Sequence, residues 1–187
     1  MSLLFSKNKK SELAYNTEEV DAFFDRVQAA YDANIDSIDV LKIANTSFSL
    51  TKSGYYTREV DLAIDKLIYS ILEYKKHIAY KSGQGEVWEK EYARSVWDLE
   101  NVLRSEKGKF FEKGKKKSYS YKVRPVDKFM QKLKKYFLES GNKVGIDQID
   151  KISFPSTKSG RGYSEAGVDA FLNRVRVLLI ASDISTT

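Results

Sequence analysis

Four segments of the chain carry apolar residues at the spacing of one helix face. Each begins with valine followed by aspartate, and apolar residues recur three or four and seven positions after the valine. These positions share one side of a helix with 3.6 residues per turn. Each segment is therefore predicted to open an amphipathic helix, and the four valines are Val20, Val60, Val126 and Val168.

A tyrosine lies five residues before each of these valines. The four are Tyr15, Tyr55, Tyr121 and Tyr163. Candidate N-cap residues, which would accept the free N–H groups of the first helical turn, follow three of them: Thr17, Thr57 and Ser164. Pro125 has the matching early position in the third copy, where its missing N–H costs nothing. We expect each tyrosine to pack back on its own helix as a hydrophobic staple. We expect each aspartate to be a first-turn acid favoured by the helix dipole.

The four motifs form two pairs with nearly the same internal spacing. The segment 40–48 before the second motif aligns with 146–154 before the fourth, so that Val40 matches Ile146 and Phe48 matches Phe154. The loop Lys52-Ser53-Gly54 likewise recurs as Lys158-Ser159-Gly160. This pattern predicts two pseudo-repeated halves.

Helical periodicity continues between the second and third motifs. One run includes Ile64, Ile71 and Ile78, and a second, after Gly85, includes Trp88 and Leu99. Together they predict a central helical hairpin that closes the core, with a seam between copies of the chain as the other interpretation. The predicted fold is all-α, with helices near 17–34, 57–81, 86–106, 124–139 and 164–182. The predicted domains are 1–107 and 108–187, or one continuous domain.

The best copy of the motif resembles a known family. Ile149-Asp-Lys-Ile-Ser-Phe154, followed by Gly162-Tyr163-Ser-Glu-Ala-Gly-Val168-Asp-Ala-Phe-Leu172, is similar to the N-terminal domain of the DivIVA proteins of curved bacterial membranes. The four-motif layout resembles the DivIVA-domain repeat proteins of Actinobacteria. The resemblance implies a scaffold of the kind used in cell division and polarity.

Two features depart from that family. The DivIVA proteins continue into a long coiled coil, whereas the sequence after the fourth motif is short here. The family's membrane loop has an exposed aromatic residue and then arginine before Gly-Tyr. Here those positions hold Lys52 and Ser53 in one loop, and Gly160 and Arg161 in the other. Only Arg161 matches, and the aromatic residue that would insert into the bilayer is missing. We therefore expect weak, purely electrostatic contact with anionic membranes and no preference for curvature.

Positive charge is concentrated in one segment. The net charge is +6, and from Lys107 to Lys135 there are twelve Lys and Arg residues against two acidic ones. The densest part of this segment contributes four candidate anion contacts, Lys113, Lys115, Lys116 and Lys117. Lys52, in the first Lys-Ser-Gly loop, and Arg161, directly after the second, are the other two candidates. Such a segment attracts lipid headgroups or nucleic acid, or forms a solvated loop. Nucleic-acid binding through 107–135, with Tyr119 and Tyr121 as stacking residues, is the alternative function.

Residues typical of catalysis are scarce. Cysteine is absent, His77 is the single histidine, and none of the common hydrolase, zinc-protease or phosphate-loop motifs occurs. We therefore expect no enzyme activity, cofactor or metal. Without a signal-peptide pattern or a long apolar stretch, a cytoplasmic location is predicted. The predicted function is a noncatalytic scaffold or adaptor that binds a protein partner not identified by the sequence, and homo-oligomers are a further option.

Overall fold

A computed structural model describes residues 5–8, 12–139, 141–158 and 160–185. Ser159, in the second Lys-Ser-Gly loop, lies outside the described residues. The protein is mainly helical, as predicted, and it also contains two short antiparallel strand pairs. The α-helices are α1 Thr17–Asn34, α2 Val40–Ala44, α3 Thr57–Lys81, α4 Gly85–Leu103, α5 Val123–Leu138, α6 Ile146–Asp150 and α7 Glu165–Ser185, with a 3₁₀ helix at Ile35–Ser37. The strands are β1 Ala14–Tyr15, β2 Leu50–Thr51, β3 Ser120–Tyr121 and β4 Ser156–Thr157.

The five long helices begin and end within three residues of the predicted bounds. The sequence did not predict α2, α6, the 3₁₀ helix or the strands. Helices of five residues and strands of two are too short to show a hydrophobic period. They form because tertiary contacts hold them, so propensity alone does not reveal them.

The chain divides into two compact units, Met1–Gly83 and Gln84–Thr187. The boundary thus lies between the two helices of the predicted hairpin rather than after residue 107. The physical reason is the packing of α4, whose Leu99 and Leu103 are fully buried in the core of the second unit. α4 contacts α5 and α7, whereas α3 contacts α2 within the first unit.

The first unit is built on α1 and α3, the helices of the first two motifs. Val20 of α1 and Val60, Ile68 and Ile71 of α3 are completely buried. The short helix α2 buries Ile43 against this core and contacts α3. Strands β1 and β2 pair antiparallel, with Ala14 opposite Thr51 and Tyr15 opposite Leu50.

The second unit combines α5 and α7, the helices of the other two motifs, with α4. Its core cluster includes Val126, Leu133, Val168 and Val175, all buried to within 1% exposure. Strands β3 and β4 pair antiparallel, with Ser120 opposite Thr157 and Tyr121 opposite Ser156. This register places the third and fourth motifs side by side.

The helix starts correct two of the predicted N-caps. Asn16 caps α1, because its side-chain oxygen accepts the N–H of Glu19 at 3.1 Å, and Thr17 is the first helical residue. Thr57 likewise begins α3, whose N-cap is Tyr56. Ser164 directly precedes α7, and its carbonyl accepts the N–H of Val168 at 3.1 Å.

Replacing Val168 by alanine is expected to lower the free energy of unfolding by about 1–3 kcal/mol, because it empties a packed site. Val168 is 1% exposed. The matched control is Val87→Ala in α4, where the same atoms are removed from a side chain that is 52% exposed. Urea unfolding of both variants measures the difference. Equal stabilities would contradict a core role for the repeat valine.

Candidate functional site

The two motifs of each unit meet at their tyrosines. In the first unit the backbone N–H of Tyr15 donates to the Tyr55 carbonyl at 3.0 Å, and that of Tyr55 donates to the Tyr15 carbonyl at 2.9 Å. In the second unit Tyr121 and Tyr163 exchange the same two bonds at 2.9 and 2.8 Å. This mutual exchange is that of a hydrogen-bonded antiparallel pair. We call each arrangement a tyrosine crossing.

Each crossing requires glycine before its second tyrosine. A Cβ atom on Gly54 would clash with the carbonyl oxygen of Tyr15, and one on Gly162 would clash with that of Tyr121. The close approach of two backbones, rather than a special φ angle, explains these Gly-Tyr pairs.

The tyrosine hydroxyls reach the aspartates of the other motif in the same unit. Tyr55 donates to Asp21 at 3.1 Å, and Tyr163 donates to Asp127 at 2.8 Å. Tyr121, the tyrosine of the third motif, donates to Asp169 of the fourth motif at 3.4 Å. These hydroxyl bonds, which the sequence did not predict, link the two motifs of each unit.

The aspartates are also not first-turn acids. Asp21, Asp127 and Asp169 are each the fifth residue of their helix. Their position one residue after the buried valine directs them to the neighbouring tyrosine. One sequence feature could have predicted these hydrogen bonds: every repeat valine has both a tyrosine five residues before it and an aspartate directly after it.

The repeat positions form core structure. The four valines are at most 1% exposed, and Tyr55 and Tyr163 are also buried. The ring of Tyr15 lies 5.2 Å from that of Phe48, and the ring of Tyr121 lies 5.4 Å from that of Phe154. Tyr121 is half-buried, and its contact with Phe154 covers part of the ring that nucleobase stacking would need.

Burial controls the ionisation of the crossing in the second unit. It raises the pKa of the Tyr163 hydroxyl well above its usual range, and the hydrogen bond to Asp127 adds to the effect. Burial, together with the charge of Asp169, raises the pKa of Tyr121 to about 12. Burial also raises the pKa of Asp169, although the bond from Tyr121 opposes it. The tyrosines are therefore neutral donors at physiological pH.

Most of the candidate anion contacts lie on two adjoining loops of the second unit. Residues 113–119 approach residues 156–158 and 160–162 closely, since the N–H of Gly114 donates to the Gly162 carbonyl at 2.9 Å. Gly160 adopts φ +64°, and a Cβ there would lie 3.2 Å from Cα of Lys116. We call this surface the paired basic loops. It brings Arg161 and Lys158 to the same loop pair as the lysine run.

The lysines of this surface differ in what they contact. Lys113 is engaged within the unit, with its ammonium 4.3 Å from the Tyr163 ring centroid and bonded to the Gly108 carbonyl at 3.2 Å. Lys115, Lys116 and Lys117 are exposed, and no described residue forms an ion pair with them. The left-handed φ of +67° at Lys117 forms the turn that presents these three side chains.

Two further lysines, Lys158 and Lys52, lie in different units. Lys158 was not predicted as a contact, and its ammonium lies 4.4 Å from the ring centroid of Tyr119, which is 60% exposed. Lys52 is exposed directly after β2 and belongs to the first unit. The other five candidate anion contacts all belong to the second unit.

Metal-binding and membrane-spanning features are not found in the part of the chain that the structure describes. No group of three or more His, Cys, Asp or Glu side chains there could hold a metal ion. None of the described helices has a stretch long and apolar enough to cross a bilayer. His77 is exposed on α3.

Tyr163→Phe is expected to lower the free energy of unfolding at pH 7 by about 1.5–3 kcal/mol, because it removes a hydrogen bond to a charged group. The hydroxyl's folded pKa lies above its unfolded value near 10, so its contribution is complete below about pH 10 and falls as the pH rises further. The gap between wild type and variant should therefore narrow above pH 10. Urea unfolding at pH 7 to 11 measures it, with the exposed Tyr119→Phe as control. A gap independent of pH would contradict this assignment.

Comparisons with known proteins give no relatives for this fold. No protein-family model matches the chain, and neither a curated protein nor a solved structure is significantly similar to it. The resemblance to DivIVA proteins therefore depends on the four motifs in this sequence. The function has to be inferred from the side chains described above.

Proposed function

We propose that the protein is a noncatalytic cytoplasmic scaffold or adaptor of the type represented by the DivIVA cell-division and polarity factors. The observation that supports this best is the paired basic loops, where exposed lysines stand on a rigid crossing. The repeat residues themselves are used in the core, so they leave the loops as the surface that differs most in charge from the rest of the chain.

We further propose that the two units are copies of one two-motif module. The tyrosine crossings, the strand pairs and the Tyr55–Asp21 and Tyr163–Asp127 bonds occur at matching places in both. Phe48 and Phe154, which the sequence alignment pairs, each contact the crossing tyrosine of the preceding motif. A duplicated module accounts for this agreement more simply than separate origins.

The chemistry of the loops favours an acidic protein surface as the partner. Lys115, Lys116 and Lys117 supply three exposed ammonium groups without a bidentate arginine pair, so they provide attraction but little geometric selectivity. Their attraction to an anionic bilayer is about 1 kcal/mol per lysine near the surface and decays within a Debye length. Membrane contact through these loops is therefore expected to be weak and secondary.

A liposome co-sedimentation assay tests the paired basic loops. We expect weak binding to anionic vesicles at low salt, lost at physiological salt, and strongly reduced in a Lys115→Gln, Lys116→Gln, Lys117→Asn variant. Asparagine suits position 117 because it tolerates the left-handed φ. Lys113 is kept because it contacts the Tyr163 ring.

The matched control removes the same charge elsewhere, through Lys66→Gln, Lys81→Gln and Lys90→Gln on helices α3 and α4. If this control loses binding as fully as the loop variant, net charge rather than the loop surface is responsible. Binding that survives physiological salt and depends on Arg161 would instead indicate specific membrane insertion.

One observation favours nucleic-acid binding through 107–135 as the second candidate. Tyr119 is 60% exposed beside Lys158, which is the combination of aromatic face and cation found in single-strand binding. A groove of about 630 Å³ also lies beside Lys107, Arg124 and Lys128. Of the two predicted stacking residues, Tyr119 is the exposed one, whereas Tyr121 is half-buried beside Phe154.

Fluorescence anisotropy with a labelled single-stranded oligonucleotide separates the two functions. For an adaptor we expect weak binding that disappears between about 50 and 200 mM salt and is the same in Tyr119→Ala. A nucleic-acid-binding protein should lose about tenfold or more affinity in Tyr119→Ala, because base stacking on an aromatic ring is lost. The control is Tyr80→Ala, which removes another tyrosine that is 51% exposed.

A further inference from the structure

A groove of about 320 Å³ lies in the first unit, along α1 and the segment 37–46. Its walls are mainly apolar, and Phe23, Val27, Ile38 and Ile43 contribute to them. Two exposed cationic residues, Arg26 and Lys42, line the same groove. The groove is separate from the paired basic loops, which belong to the second unit.

In the second unit, the positions that match Arg26 and Lys42 are joined by a hydrogen bond. In the alignment of the motifs Arg26 matches Lys132, and Lys42 matches Gln148. The ammonium of Lys132 donates to the side-chain carbonyl of Gln148, which ties α5 to α6. In the first unit both positions are cationic, so the two side chains have only donors and cannot bond to each other.

A second difference leaves space at the groove. Ten residues after the repeat valine, the first unit has Ala30, which lines the groove, whereas the second unit has Tyr136. Tyr136 is half-buried against the core of its unit. The first unit therefore has the small Ala30 where the second unit has the large ring of Tyr136. It also has the cation of Lys42 where the second unit has the neutral acceptor Gln148.

Asp39 contributes one carboxylate to the groove, so its charged lining residues carry two positive charges and one negative charge. The Asp39 carboxylate accepts the N–H groups of Leu41 and Lys42 at 2.9 and 3.3 Å. The Ser37 and Thr46 hydroxyls donate to backbone carbonyls at 2.7 and 3.0 Å. Among the described residues, none forms an ion pair with Arg26 or Lys42.

We infer that this groove binds a compact organic anion, with its carboxylate or phosphate group between Arg26 and Lys42 and its apolar body against Phe23 and Ile43. An anionic group can accept charge-assisted hydrogen bonds from both cations, and the groove lining keeps one positive charge in excess after Asp39 is counted. The apolar walls suit a ligand about the size of an aromatic ring, since the volume is near the lower end of known ligand pockets, about 300–1,000 Å³. The inference goes beyond the proposed scaffold function and does not depend on it.

Titration of the ¹⁵N-labelled full chain, followed by NMR, tests this site. The probes are phenyl phosphate, inorganic phosphate and benzyl alcohol, which separate the combined ligand from its anionic and apolar parts. We expect saturable shifts of the amides of Val27, Ile38 and Ile43 with phenyl phosphate, and much weaker ones with either part alone. Equal binding of benzyl alcohol, or shifts spread over the whole chain without saturation, would overturn the proposal.

Two variants examine the mechanism. Lys42→Gln restores the pair found in the second unit and should weaken phenyl phosphate binding by about tenfold, the loss typical of one charge-assisted hydrogen bond. Ala30→Tyr keeps both cations but fills the groove, so it should also prevent binding. The spectrum of each variant shows directly whether it is folded.

The matched control is Lys66→Gln, which removes one charge from an exposed position of α3 that does not line the groove. It should bind phenyl phosphate as the wild type does. If Lys66→Gln weakens binding as much as Lys42→Gln, or if folded Ala30→Tyr binds unchanged, the ligand is held by general electrostatics and the site does not exist.

Discussion

The close approach of two backbones at each tyrosine crossing constrains most of what surrounds it. Because the tyrosines exchange both backbone hydrogen bonds, the chain before the second one has no room for a Cβ atom, and glycine stands there. The crossing fixes where the two long helices of a unit begin, which in turn places Asp21 and Asp127 within reach of Tyr55 and Tyr163. The repeat valine, one residue before each aspartate, then points into the core. One contact thus explains why glycine, tyrosine, valine and aspartate recur together.

This constraint also determines where function can reside. Residues whose hydroxyl, carboxylate or methyl groups are committed to the crossing cannot serve a ligand without loss of stability, since a buried partner would be left unsatisfied. The loops that leave the crossing are not restricted in this way. In the second unit they carry Lys115, Lys116 and Lys117 on a turn, and the engagement of Lys113 with the Tyr163 ring attaches that turn to the crossing. The exposed charges are therefore attached to a buried, hydrogen-bonded base.

The sequence predicted the long helices because each buries an apolar stripe with a helical period that is visible in the residues themselves. It could not predict which unit α4 joins, because Leu99 and Leu103 would satisfy the same pattern against any apolar surface. The two-residue strands and the link from Tyr163 to Asp127 depend on contacts between residues far apart in the chain. For the candidate site, charge density identified the lysine run, but only the geometry of Gly160 and Lys116 brings it beside Arg161. The sequence also could not show that Tyr121 is half-buried, because its contact with Phe154 joins residues far apart in the chain.

The differences between the units are informative because the crossings are so similar. A position that keeps its residue in both units is explained by the shared structure, whereas a position that changes has escaped that constraint. Lys42 in place of Gln148 is a change at the contact between a long helix and the short helix after it, where it removes the hydrogen bond that Lys132 makes in the second unit. Ala30 in place of Tyr136 puts a small side chain where the second unit has a half-buried ring, and the first unit has an apolar groove with two cations there. The charged lining of that groove, Arg26, Lys42 and Asp39, has one positive charge in excess, and an anion bound there would stabilise the folded state through its binding free energy.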